Sequence, residues 1–324
     1  MLLFIGKRGL SADIFKWILA TVAGAIIIVF FYRFAFQHMG ISDTITERET
    51  VERFIDELDA FGISSSSSKS IEIRIDKELF FQCGSVGVEN YAKDTQRIVY
   101  APPKLSANKI NMWTETWKFP FPVTNFYYLT DDKTKTIIIY DDSSVDFVKD
   151  LSFPRGFDVK TVHKKNLDLD EISKQAYLLD GLHLVYLTPV KDVKSIVDKF
   201  KTITPDIIEV DVQKNRINYY NNHLDTYYLG DEMLYGAFIA PEQYECMQRK
   251  ALERLWDLSA ILEQRAKMLR GKTDDTSCSD TLFQLSLALK GIIGVDDGDE
   301  LHSIKDRIRE YDTFLRQNDC ASAY

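Results

Sequence analysis

Apolar positions run without a break from Trp17 to Tyr32, and Phe34, Ala35 and Phe36 carry the run past a single Arg33. A helix needs about 20 apolar residues to cross about 30 Å of hydrocarbon. Residues 14–36 are therefore predicted to form a transmembrane helix, with Arg33 reaching to the lipid surface. The pattern then becomes amphipathic. Val51, Phe54, Ile55, Leu58 and Phe61 fall at helical spacing between Ser42 and Phe61, with Thr46 and Glu49 placed as a capping box and Gly62 as a stop. The serine run from Ser64 to Ser68 reads as a linker, so residues 37–69 form a stalk helix and its tether.

Beyond the linker the period drops to two. Ile71, Ile73 and Ile75 alternate with Glu72, Arg74 and Asp76, and further strands are expected at 79–83 and 97–100, the last ended by Pro102 and Pro103. Residues 113–128 carry Trp113, Trp117, Phe119, Phe121, Phe126, Tyr127 and Tyr128. Such density suits a ligand platform or a lipid-facing surface, but rings of this size bury large areas and the segment is read as core.

From Lys135 onward short apolar strands alternate with helices. Strands are expected at 136–140, 157–162, 182–187, 207–212 and 216–220. The last two flank a hairpin at Gln213, Lys214 and Asn215, and helices are expected at 144–151, 170–178 and 193–200. Continuous apolar strands alternating with helices predict a parallel sheet covered on both faces. Three helices close the chain, at 243–269, 280–292 and 299–315, with Gly271, Gly291, Gly294 and Gly298 at the breaks. The expected fold is an α/β ectodomain over residues 70–240, a short β region followed by Rossmann-like alternation with an edge hairpin. A C-terminal three-helix segment over 241–324 follows it, all on one N-terminal transmembrane helix.

Charge sets the orientation. Lys7, Arg8 and Lys16 precede or open the span, whereas Asp43, Glu47, Glu49, Glu52, Asp56, Glu57 and Asp59 crowd the other side. Basic residues near a span end favour the cytoplasm. Residues 1–13 are thus placed inside, and the bulk of the chain outside the cell membrane. The alternative of a cleaved secretory signal is disfavoured by the length of the run and by the lack of an A-x-A-like site after it. A net charge of −9 with no basic cluster argues against nucleic acid as a partner. The partners that remain are membrane lipid and an unidentified protein or a second copy of the chain.

Four cysteines, Cys83, Cys246, Cys278 and Cys320, lie on the outer side, where disulfides form. A helix over 243–269 is about 40 Å long, which separates Cys246 from Cys278 by more than a disulfide spans. An up-down-up bundle instead brings Cys278 to Cys320 and leaves Cys246 for Cys83.

Lys7-Arg8-Gly9-Leu10-Ser11 ahead of an apolar helix resembles the class III leader of archaeal type IV pilins, which would be cut after Gly9. The chain departs from that pattern at Asp13 and Lys16, and in having Ile14 where many pilins have glutamate. The segments WTETWKFPFPVTNFYYL (113–129) and EMLYGAFIAPEQYEC (232–246), with the closing Cys320 and Tyr324, resemble an uncharacterised group of archaeal single-span proteins. That resemblance implies location and architecture, and no activity.

The chemistry that can be read locally is sparse. No H-E-x-x-H, G-x-S-x-G, Walker or dinucleotide glycine pattern is present, and no cofactor is implied. His183 sits inside an apolar strand and reads as a core histidine. The best local candidate is Asp141-Asp142-Ser143-Ser144, which follows a strand and precedes a helix. Ligands bind beyond the carboxyl ends of strands in open α/β sheets, and paired carboxylates suit a hard cation. The plainer alternative is an acidic turn in which Asp142 or Ser143 caps the helix. Asp296-Asp297-Gly298-Asp299-Glu300 lacks the alternating oxygen donors of a calcium loop and reads as a turn capping the last helix. These observations favour a membrane-anchored extracytoplasmic interaction or cell-envelope protein. The alternatives are a ligand-binding domain or enzyme using Asp141 and Asp142, and a pilin-like filament subunit.

Overall fold

The computed structural model describes residues 9–62, 67–72, 78–105, 109–154 and 156–324. The basic Lys7 and Arg8, and most of the alternating segment after Ile71, lie outside them. Helix α1 (Gly9–Phe61) is a single helix of 53 residues, about 80 Å long at 1.5 Å per residue. Among the described residues only its Lys16–Arg33 stretch is long and apolar enough to cross a membrane, and none of that stretch is buried. The expected start of a second helix at Thr46 is absent. Thr46 lies inside α1, where no free backbone N–H groups are left for a capping box to satisfy. The helix ends where the Gly62 N–H bonds to the Leu58 carbonyl. A side chain at Gly62 would strike the Tyr127 hydroxyl, so the stop is set by packing as well as by backbone freedom.

The last turns of α1 bury Val51, Phe54, Ile55 and Leu58 against the first part of the domain. That part contains β1 (Ser67–Glu72), β2 (Leu79–Gln82), β3 (Ser85–Val88), β4 (Tyr91–Asp94), β5 (Ile98–Tyr100), β6 (Lys104–Leu105), β7 (Lys109–Lys118) and β8 (Pro122–Thr130). They form two four-stranded sheets, ordered β4-β3-β2-β6 and β1-β7-β8-β5. The aromatic segment is the β7–β8 hairpin and its turn. All seven rings are buried, and Trp117 donates its indole N–H to the Leu229 carbonyl at 2.7 Å. A ring of this kind removes roughly 150–250 Å² from water, so the segment is the seam between this region and the rest of the domain.

Next come β9 (Thr134–Tyr140), α2 (Val145–Asp150), β10 (Val159–His163), α3 (Leu169–Gln175), β11 (Gly181–Tyr186), α4 (Val193–Val197), β12 (Asp206–Asp211), β13 (Arg216–Tyr219) and β14 (Leu224–Tyr227). They build one six-stranded sheet, ordered β10-β9-β11-β12-β13-β14. The first four strands are parallel and the last two antiparallel. Ile137, Ile139, Leu182, Leu184, Tyr186 and Ile207 pack under α3 and α4, while Ile138, Val185, Ile208 and Val210 face the main core. The helices are α5 (Asp231–Ile239), α6 (Tyr244–Arg270), α7 (Thr276–Ile292) and α8 (Gly298–Gln317). Asp297 caps α8 through the Glu300 N–H at 2.8 Å.

Disulfides join Cys83 to Cys246 and Cys278 to Cys320, with Cα separations of 5.7 and 5.8 Å. Cys278 and Cys320 tie the start of α7 to the end of α8. Cys83 and Gly84 form the two-residue turn between β2 and β3, and both have positive φ, 32° and 86°. Such a turn matches the twist of the flanking strands, and the bond to α6 holds the non-glycine member there.

Candidate functional site

The parallel strands have two ends, and titratable groups gather at both. At the carboxyl end, Asp141 follows β9. Its Oδ1 accepts from the Ser143 N–H at 2.9 Å and from the hydroxyls of Ser143 and Ser144. These bonds, the Ser143 hydroxyl first, lower its pKa. The capping expectation needs correction in detail. The N-cap of α2 is Ser144, and no side chain of that residue makes a capping bond; the local donors are taken up one residue earlier by the Asp141 turn. Asp142 is mostly exposed. Its carboxylate meets Lys165 Nζ at 2.7 Å and His163 Nε2 at 3.1 Å, and the Lys165 bond is the main cause of its lowered pKa.

Ser143 and Ser144 line a cleft of about 280 Å³ with Leu187, Thr188, Glu209 and Asp211. Its acids are occupied. Glu209 accepts from the Val190 N–H and the Tyr220 hydroxyl, each at 2.7 Å, and Asp211 accepts from the Gln213 and Lys214 N–H groups.

The amino end is different. His183 in β11 pairs in register with Asp206, the first residue of β12, so both side chains leave the sheet on the same face. His183 is 2% exposed. Its Nδ1 bonds to the Phe238 carbonyl at 2.7 Å. A carbonyl only accepts, so Nδ1 carries the proton and Nε2 presents its lone pair. Phe238 lies in the last turn of α5, where carbonyls have no helical partner. Nε2 faces Asp206 Oδ2 at 3.6 Å, too long for a hydrogen bond. The other oxygen, Oδ1, is held by Asn221 Nδ2 at 2.8 Å.

Glu242 completes the group from the tight turn at 241–243 that follows α5. The donor atoms of His183, Asp206 and Glu242 all lie within 4.8 Å of one another, the one such metal-competent group among the described residues. They open onto a cleft of about 390 Å³ rimmed by Pro102, Pro103, Lys104 and Thr204. Burial lowers the His183 pKa to about 4. Burial, then the nearby Glu242 charge, raises that of Asp206 to about 7. Glu242 is open to solvent on its outer side, but loss of hydration at the cleft wall raises its pKa as well. His183 and Asp206 are therefore not an ion pair at neutral pH.

His183 is thus buried, as a core histidine would be, but only one of its ring nitrogens is satisfied by the core. Reading the sequence locally misses Asp206 and Glu242 altogether, because no motif joins positions 183, 206 and 242. The available signal was a histidine in an otherwise apolar strand and an acid just after Pro205, at the start of the next parallel strand.

Comparison with family models, curated proteins and solved structures finds no match to this chain. What stands among the described residues is a mixed α/β domain with two disulfides, one helix long and apolar enough to cross a membrane, and a part-buried His/Asp/Glu group.

Proposed function

We propose that this chain is a membrane-anchored interaction or cell-envelope protein, held with its N-terminus in the cytoplasm and its domain outside. The observation that carries the reading is α1. None of its apolar stretch is buried, while the same continuous helix goes on to bury Val51, Phe54 and Leu58 in the domain. One continuous helix therefore joins the apolar stretch to the domain. Two disulfides in that domain suit an oxidising compartment. Protease added to intact, wall-stripped cells should digest the chain after Gln37; full protection would reverse the orientation.

Two further readings each have one supporting observation. The cleft at Ser143 and Ser144 sits beyond the carboxyl ends of the parallel strands, the usual ligand position in such sheets. Binding there requires a melting response to Ca²⁺ or Mg²⁺ that alanine at Asp141 and Asp142 removes. A filament subunit is favoured by the length of α1 free of the domain, and requires a mature N-terminus at Leu10, readable by intact mass.

A further inference from the structure

We propose that His183, Asp206 and Glu242 form a binding site for a divalent first-row transition-metal ion, with zinc as the reference probe. The site needs neither the membrane orientation nor the cleft at the other end of the sheet.

The donor set is the first argument. One imidazole nitrogen and two carboxylates suit zinc or a neighbouring transition metal, whereas calcium takes six to eight oxygens and magnesium an octahedron rich in water. Geometry is the second. At metal–donor distances of about 2.0–2.2 Å and tetrahedral angles, two donors on one ion stand roughly 3.4 Å apart. His183 Nε2 and Asp206 Oδ2 are already 3.6 Å apart. Glu242 lies within 4.8 Å of both and is the exposed residue of its turn, between buried Pro241 and Gln243.

The surroundings are the third argument. Metal-bound histidines commonly donate the second ring N–H to a carbonyl or carboxylate, which fixes the tautomer. Phe238 does this for His183, and Asn221 holds the free oxygen of Asp206. Asn221 is itself held, accepting from the Ile207 N–H and donating to the Pro205 carbonyl. Among the described residues the contact that Nε2 makes with Asp206 Oδ2, at 3.6 Å, is too long for a hydrogen bond, and a Glu242 oxygen lies within 4.8 Å of both atoms; one cation can be met by all three donors at once. The cations nearby are engaged elsewhere: Lys104, on the rim of the cleft, pairs with Glu78 at 2.7 Å, and Lys133 pairs with Asp180 at 3.4 Å. Three protein donors leave a fourth position open toward the cleft, where water or a ligand would bind.

The test uses the full chain in mild detergent, stripped with chelator and dialysed. Titration with Zn²⁺ should show one ion per chain and a rise in melting temperature, with Co²⁺ giving the visible absorption of a low-coordinate site. Ca²⁺ and Mg²⁺ at millimolar concentration should give neither. Asp206→Asn and Glu242→Gln keep shape and remove charge, and each should weaken Zn²⁺ binding by about 10-fold or more. Asn221→Ala should weaken it by about 10-fold, as expected for a group that positions a ligand. Three results would each overturn the proposal. They are the absence of saturable Zn²⁺ binding, binding that survives in the Asp206→Asn/Glu242→Gln double variant, and Ca²⁺ or Mg²⁺ binding as tightly as Zn²⁺.

Discussion

The two ends of the six-stranded sheet use the same residue types in opposite ways. At the carboxyl end, Asp141, Asp142, Glu209 and Asp211 each receive hydrogen bonds from neighbours or from nearby cations. Their carboxylates are spent on holding loops, and the bonds to Asp141 and Asp142 lower the pKa of those two. At the amino end, His183 and Asp206 lose water and gain few bonds in exchange, so both are pushed toward their neutral forms. A cluster of acids next to one another in sequence can be structurally satisfied. One assembled from three distant segments can be left with unmet valence, and unmet valence is the better pointer to a ligand.

The largest effects should come from removing what braces the amino end. The Cys83–Cys246 bond sits just beyond Gln243, whose side-chain amide donates to the Phe81 and Ala101 carbonyls at 2.9 and 3.0 Å. Serine at both cysteines should cost about 2–5 kcal/mol in chemical denaturation. It should weaken Zn²⁺ binding while leaving the carboxyl-end cleft unaltered. Equal disturbance of both ends, read by hydrogen exchange, would erase the distinction between them.

His183→Ala should cost about 2–4 kcal/mol in the metal-free protein, because it opens a cavity and deprives the Phe238 carbonyl of its main donor. A loss below about 1 kcal/mol would mean that His183 is not holding α5 to the sheet.

The pH dependence of the chelated protein separates the two partners. A histidine whose folded pKa is depressed to about 4 contributes stability that is present above its ordinary value of about 6.5. That stability is lost as pH falls through 4. An aspartate whose folded pKa is raised to about 7 contributes stability that is full below about 3.9 and lost as pH rises through 7. Between these limits the slopes oppose each other. Asp206→Asn should therefore leave stability rising from pH 4 to 6.5, and His183→Gln should leave it falling from pH 4 to 7. Parallel slopes in the two variants would contradict the electrostatic description of the site.

The smallest effects belong to the carboxyl end. Asp141→Ala removes bonds that shape one exposed turn and should cost about 1 kcal/mol. Asp142→Ala should leave the melting temperature unchanged at physiological salt, since Asp142 and its closer partner Lys165 are exposed and screened. A large loss from either, or a metal response that either abolishes, would move the functional interest back to that end.

The sequence was legible wherever a period persisted. The β9, β11 and β12 strands and the helices α6, α7 and α8 all follow from runs whose repeat matches one element. Helix α5 was not legible. Residues 233–239 are buried on every side, so no polar face marks the helical period. The short strands β3, β4, β6 and β14 were missed because two to four residues are too few to show alternation. The same blindness hid the amino-end site, since α5 supplies the Phe238 carbonyl and leads into Glu242.

By itself, then, the sequence determined the apolar stretch that can span a membrane, the order of the longer strands and of the last three helices, and the acidic turn at Asp141. All of these are encoded by residues near one another along the chain. Only the tertiary structure decided that α1 runs unbroken into the domain. It alone decided that His183, Asp206 and Glu242 meet. That last outcome depends on the register between β11 and β12 and on where α5 stops against the sheet. Such contacts are set by packing across the core, and packing leaves no local repeat to be read.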